Sequence, residues 1–257
     1  SDRFVVVMWN HGAGFWIASD DTNGGDKIQI EDGELSNALQ ALVDARGKKI
    51  DVVAFDACNM AEWEVATAIA PQAHVMTASS AWVGSRGYKY DVAFANLPEV
   101  ADGHTLGEAL AYSAGIVNAE LTQSAIDLDQ IGQLDAAIDE LATAWRADPS
   151  TFPAARDAAR SLDRKWEDWW IDVGELADQA ALASPALVAP SAAVRDALGA
   201  VVIANYTQPG VDFSSGITLF GDTSRRSWLR QYQTGPWATT AWDELLIDAA
   251  RLPPTAP

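Results

Sequence analysis

Two apolar runs joined by a helix-shaped segment constrain this chain more than any other feature. Phe4-Val5-Val6-Val7-Met8-Trp9 runs into Asn10-His11-Gly12-Ala13-Gly14, and Asp51-Val52-Val53-Ala54-Phe55 runs into Asp56-Ala57-Cys58-Asn59-Met60. Each has the pattern of a buried parallel strand that stops at polar residues on reaching the rim of a sheet. The stretch from Gly33 to Arg46 between them reads as one helix. A strand, a helix and a second strand form a right-handed crossover that lays the strands side by side, about 4.8 Å apart. Adjacent strands would bring His11 and Cys58 off the same edge of the sheet. A thiol within reach of an imidazole is the equipment of a cysteine nucleophile.

The rest of the chain continues the alternation. Strands are predicted at 4–9, 50–56, 73–79, 122–127, 199–205 and 215–220, and helices at 33–46, 60–70, 104–119, 129–147, 151–163, 172–182, 190–199 and 237–250. Such alternation predicts an α/β fold with a mostly parallel sheet covered on both faces. The chain divides into a core at 1–144, a nearly all-helical insertion or subdomain at 145–198, and a return at 199–257 whose two strands rejoin the sheet and whose last helix completes the core. At 257 residues there is enough chain for a large core.

The formal charge of -19 argues against nucleic acid as a partner, because phosphate binding needs a basic face. It suits an acidic solvated surface or attraction of cations. No apolar run is long enough to cross a bilayer, and no basic-then-apolar signal segment opens the chain. One cysteine excludes an internal disulfide. No HExxH or cysteine cluster points to zinc, and no glycine-rich phosphate loop points to a nucleotide. Asp20-Asp21-Thr22-Asn23-Gly24-Gly25-Asp26 hints at calcium, but its spacing does not fit an EF-hand and it reads as a turn.

A lone cysteine is most often a small buried hydrophobe. The strand-end position and polar flanks of Cys58 count against that reading. His74 sits inside an apolar strand and His104 at a helix start, so both are assigned structural roles. Trp82, Tyr88 and Tyr90 lie in a glycine-punctuated loop after the third strand, where they could wall a cleft over the His11 and Cys58 edge. Trp166-Glu167-Asp168-Trp169-Trp170 reads as packing for the helical segment.

These residues carry a resemblance. His11-Gly12-Ala13-Gly14-Phe15 is similar to the histidine motif of the clostripain family of cysteine peptidases. Phe55-Asp56-Ala57-Cys58-Asn59-Met60, with Glu64 following, is similar to its cysteine motif. Ala78-Ser79-Ser80 and Gly87-Tyr88-Lys89-Tyr90 resemble its next two blocks, and Ser124 to Leu128, Ile171 to Val173 and Ser215 to Phe220 resemble later ones more weakly. The resemblance implies a caspase-like fold, a three-layer sandwich about the central sheet. The family's usual first strand and helix lie upstream of its histidine motif. Here they are expected either to have been cut away or to come from a separate N-terminal fragment of the same precursor.

The resemblance also implies roles. Cys58 would be the nucleophile, its thiolate favoured by His11 and by the start of the helix after it. His11 would be the general acid. The main-chain N–H groups of Gly12 and Cys58 would form an oxyanion hole. Asp56 would line the pocket for the residue before the cut and select Arg or Lys. Ser79, Ser80, Trp82, Arg86 and Tyr88 are further substrate-site candidates. The family often carries acids where this chain has Ser80, Ala81 and Ser85-Arg86, and Arg86 could neutralise Asp56 or point to solvent. No metal or organic cofactor is implied. The expected partner is a protein or peptide substrate, and the resemblance favours a secreted or cell-surface location. Self-cleavage between the two motifs would find basic sites at Arg46, Lys48 and Lys49. Two alternatives stay open: a catalytically inactive caspase-like module that binds a peptide or partner chain, and a thiol hydrolase or transferase acting on other acyl substrates.

Overall fold

The computed structural model describes residues 3–20, 22, 24–95, 97–160, 162, 169–224 and 226–252. In chain order the elements are β1 (Val5–Trp9), β2 (Trp16–Ile17), β3 (Ile28–Gln29), α1 (Glu34–Arg46), β4 (Ile50–Asp56), α2 (Trp63–Ile69), β5 (Ala73–Ala78), α3 (Tyr90–Ala95) and α4 (Gly103–Tyr112). A π-helical turn, Ser113–Val117, extends α4. Then come β6 (Thr122–Asp127), α5 (Ile131–Trp145), α6 (Phe152–Ala158), β7 (Trp170–Asp172), α7 (Val173–Ala183), α8 (Val188–Val201), β8 (Val202–Thr207), β9 (Thr218–Phe220), α9 (Arg226–Tyr232) and α10 (Ala241–Ala250).

The central sheet has the order β1-β4-β5-β6-β8. The crossover through α1 does set β1 beside β4 in parallel, with Val5 opposite Val52 and Trp9 opposite Asp56. Left-handed glycines frame that helix: Gly33 (φ 83°) precedes it, and Gly47 (φ 75°) ends it by donating its N–H to the Val43 carbonyl. β4 pairs parallel with β5, but β6 runs antiparallel to β5 and β8 antiparallel to β6. The sheet is therefore mixed, with a parallel half that carries both motifs.

Every residue of β4 is buried, because helices cover both faces. Val53 and Phe55 pack into the larger core with residues of α2, α5, α7 and α10. Val52 and Ala54 pack into a smaller one with Ala93, Leu106 and Leu110 from α3 and α4. This is the caspase-like three-layer arrangement.

Three expectations need correction. β9 does not rejoin the central sheet; it pairs antiparallel with β7, a three-residue strand inside a stretch expected to be helical. The helix after Cys58 starts only at Trp63 and is 7 residues long. Cys58 therefore lies five positions before the helix rather than at its start. The side chains at 145–198 do not form a core of their own: Phe152, Trp170, Leu176 and Val194 belong to the same cluster as Phe15 and Phe55. Of the tryptophan-rich run, Trp166, Glu167 and Asp168 lie outside the described residues, whereas Trp170 is buried against Phe15 and Phe220.

Candidate active site

The site grows from the register of two strands. Since Trp9 faces Asp56, the chain two residues further on brings His11 and Cys58 to one end of the sheet, and both line a cleft of about 700 Å3. The cleft also takes in Trp9, Ser19, Asp20, Asp56 and the 83–85 segment.

Each strand end is stitched to the other. After β1 the chain turns through an antiparallel bridge from Gly12 to Ile17, and the His11 carbonyl accepts from Ala18 N–H at 3.0 Å. The Gly14 N–H donates to the Asn59 carbonyl at 2.8 Å, which ties the histidine loop to the cysteine loop. Gly12 lies flat against the next motif, and a Cβ there would fall 2.6 Å from the Cys58 carbonyl oxygen and 2.8 Å from Met60 Sδ. No side chain fits at that position. Past Cys58, Asn59 takes a left-handed turn (φ 50°), a conformation asparagine tolerates better than most residues. The next two N–H groups, of Met60 and Ala61, both donate to the Ser79 carbonyl at 2.9 Å.

Cys58 is half-buried and in no disulfide. Its Sγ accepts from the Val83 N–H at 3.3 Å and can donate to the Val83 carbonyl at 3.7 Å. His11 is exposed, with its main-chain N–H held by Asn10 Oδ1 at 2.6 Å.

Asp56 sits at the cleft floor with 4% of its surface accessible. Its Oδ2 accepts from the Tyr88 N–H at 2.9 Å and the Tyr90 hydroxyl at 3.1 Å. Its buried Oδ1 has no hydrogen-bond partner among the described residues. Burial pushes the carboxyl above the usual carboxylate range, and the two bonds from Tyr88 and Tyr90 only partly offset this. Gly87 (φ 62°) lets the loop close over the acid, since a Cβ there would meet Oδ2 at 2.4 Å.

The other substrate-site candidates fall elsewhere. Ser79 is buried behind the wall, its hydroxyl shared with Thr122 at 2.9 Å and accepting from the Ala81 N–H. Ser80 is also buried, its N–H on Thr122 Oγ1. Tyr88 lies beneath the floor, where its hydroxyl donates to the Phe55 carbonyl at 2.9 Å. Trp82 is 52% exposed but does not line the cleft, and Arg86 is exposed while Asp56 bonds to tyrosines. His74 and His104 face Asp129 and Asp127 at the opposite end of the sheet. At Asp20 the chain makes a closed turn, with the Gly25 N–H on the Asp20 carbonyl; Asp21 and Asn23 lie outside the described residues. Among the described residues no three acidic, histidine or cysteine side chains gather to hold a metal ion. Sequence reasoning missed Trp9, Ser19, Asp20 and the Val83-Gly84-Ser85 wall, though Gly84 marked a loop free to approach another backbone.

Sheet order, layers and the two strand-end motifs define a caspase-like α/β protein. The pattern of Peptidase C11, the clostripain family, matches residues 1–247, and the chain belongs to that family. It is 33% identical to clostripain of Hathewaya histolytica over a match that takes in 37% of this chain and spans only 20% of that protein. A secreted C11 cysteine protease from Bacteroides thetaiotaomicron, solved with an irreversible peptide inhibitor, shares the fold with a TM-score of 0.66 at 19% identity, over 96% of this chain and 72% of that one. An inactive C11 zymogen from Parabacteroides distasonis gives 0.63 at 17%, over 96% and 70%. A B. thetaiotaomicron clostripain in complex with the peptide inhibitor BTN-VLTK-AOMK gives 0.62 at 18%, over 89% and 98%.

Proposed function

We propose that this chain is a cysteine endopeptidase that cuts after a basic residue. The observation that carries the reading is the convergence of His11 and Cys58 on one cleft whose floor holds a buried, half-bonded carboxylate. The Cys58 thiolate attacks the scissile carbonyl carbon, forming a C–S bond and an oxyanion that rests on the N–H groups of Gly12 and Cys58. As the C–N bond breaks, protonated His11 gives its proton to the departing amine. Water then attacks the thioester while His11 takes a proton from it, and the thiolate leaves. No step calls on a metal or an organic cofactor.

Asp56 provides the selectivity. Its Oδ1 is a buried acceptor awaiting a donor, and a guanidinium or ammonium would supply both donor and countercharge. The lysine that ends the peptide part of the inhibitor bound to the B. thetaiotaomicron clostripain supports the same preference. Secretion is proposed on the same footing, from the secreted relative. The test is a panel of fluorogenic peptides ending in Arg, Lys, Leu or Asp. Cys58→Ala should abolish turnover. Asp56→Asn should cut kcat/KM for Arg and Lys at least a hundredfold and spare Leu. Because the Asp56 carboxyl is raised, activity on basic peptides should fall away at a higher pH on acidification than an exposed aspartate would allow. Turnover of Leu or Asp peptides in preference to basic ones would sink the selectivity; unchanged turnover in Cys58→Ala would sink the whole reading.

A further inference from the structure

The main chain of Val83 brackets the Cys58 sulfur, with its N–H at 3.3 Å and its carbonyl at 3.7 Å. The next residue is anchored from behind: the Gly84 N–H donates to Glu120 Oε2 at 2.7 Å. Glu120 is 8% exposed and follows a left-handed Ala119 (φ 55°), and its own N–H is held by the Ala114 carbonyl at 3.2 Å. The fit is close, since a Cβ on Gly84 would come to 3.0 Å from Glu120 Oε1. Asn118, two residues earlier, holds the Gly87 carbonyl at the far end of the same loop.

The Val83 carbonyl and the Gly84 N–H belong to one planar trans peptide, so they point in opposite directions. Fixing the Gly84 N–H on Glu120 fixes that plane and with it the Val83 carbonyl, while the Val83 N–H lies in the preceding plane and is steadied through the shared Cα. We infer that Glu120 is a positioning residue for the nucleophile, holding the Val83 main chain on the Cys58 sulfur; this rests on Cys58 being the nucleophile. A thiol can use both Val83 groups, whereas a thiolate can only accept, so of the two only the nearer N–H favours the ionised form. A loop released from Glu120 loses that donor and favours the protonated thiol. The negative charge of Glu120 itself works the other way, disfavouring a thiolate nearby. Anchoring and charge therefore have opposite signs, and variants can separate them. Among the described residues the remaining titratable groups on the cleft are His11, Asp20 and Asp56, with Arg86 exposed on the loop; all stay constant across the variants.

The experiment is the pH dependence of Cys58 alkylation by iodoacetamide on the whole chain, with melting curves alongside. Glu120→Ala should raise the midpoint by about one pH unit and slow alkylation at pH 7 about tenfold. Glu120→Asp keeps the charge but falls a methylene short of Gly84, and should slow the reaction at least as much. Glu120→Gln still offers an acceptor without the charge, and should alkylate as fast as the unmodified protein or faster. An unmoved midpoint in Glu120→Ala overturns the inference. So does an Asp variant that matches the unmodified protein while Gln matches Ala, which would make charge the whole effect. If Glu120→Ala loses its melting transition, the Asp and Gln pair decides. Alkylation needs no turnover, so a protein that shows these shifts but cleaves no peptide would refute the peptidase reading and leave Glu120 in its role.

Discussion

At Gly12 the hydrogen atom on the Cα is the only side chain the packing admits, since any larger group meets the Cys58 carbonyl and Met60. Gly12→Ala should drive the histidine loop off the cysteine loop, costing about 1–3 kcal/mol of stability and more than a hundredfold in kcat/KM. Thermal melting and peptide turnover measure both, and an active, unshifted variant would show the contact to be dispensable. In the sequence this glycine suggested a backbone open to close approach, but not that the Cys58 carbonyl and Met60 make the approach. Asp56 was singled out through the resemblance, which implies a place in the pocket for the residue before the cut. Glu120 was not. It is far from Val83 in the chain, and its role depends on a peptide plane that no spacing rule reveals. Trp82 misled in the opposite sense: an aromatic in the correct loop can still face solvent rather than the cleft.

At the scale of elements, β4 and β1 were readable because their apolar runs are long and end abruptly. β7 was not, since three residues carry no periodicity to tell strand from helix. Its pairing with β9, in turn, made β9 look like a member of the wrong sheet. The link between that small sheet and the site is α2. Glu64, wholly buried in its first turn, accepts the Phe220 N–H from β9 at 2.9 Å. Burial raises its carboxyl from 4.5 to about 7, with the Phe220 bond offsetting only part of the rise. The protonated acid is the form the fold prefers. Stability from this group is full below about pH 4.5 and drains away as the pH climbs to about 7, a loss on the order of 3 kcal/mol. Glu64→Gln keeps the acceptor and cannot ionise, so its denaturation midpoint should stay flatter over that window and exceed the unmodified protein at pH 8. Parallel pH curves for the two proteins would refute this assignment.

The whole molecule carries a formal charge of -19, and a field of that size reaches beyond any one residue. A cationic peptide should be drawn in, and salt should screen the attraction. The expected outcome is a kcat/KM for Arg peptides that drops several-fold between about 0.02 and 0.5 M salt, through KM rather than kcat, with little change for a neutral peptide. Equal salt dependence for both would leave the charge a matter of solubility alone. No described helix is long and apolar enough to cross a membrane.

The aromatic cluster beneath the histidine loop joins parts of the chain far apart in sequence. Phe15 packs on Trp170 and Phe220, and also on Tyr232 and Trp237, while Gly14 presses directly on the Trp170 ring. Both cleft motifs lie before residue 61, yet the surface that seats one of them is supplied by Trp170, Phe220, Tyr232 and Trp237. A ribosome that has delivered His11 and Cys58 has not yet delivered their support. Contacts of such long range form late and slowly, so His11 and Cys58 leave the ribosome well before the rings that seat the histidine loop.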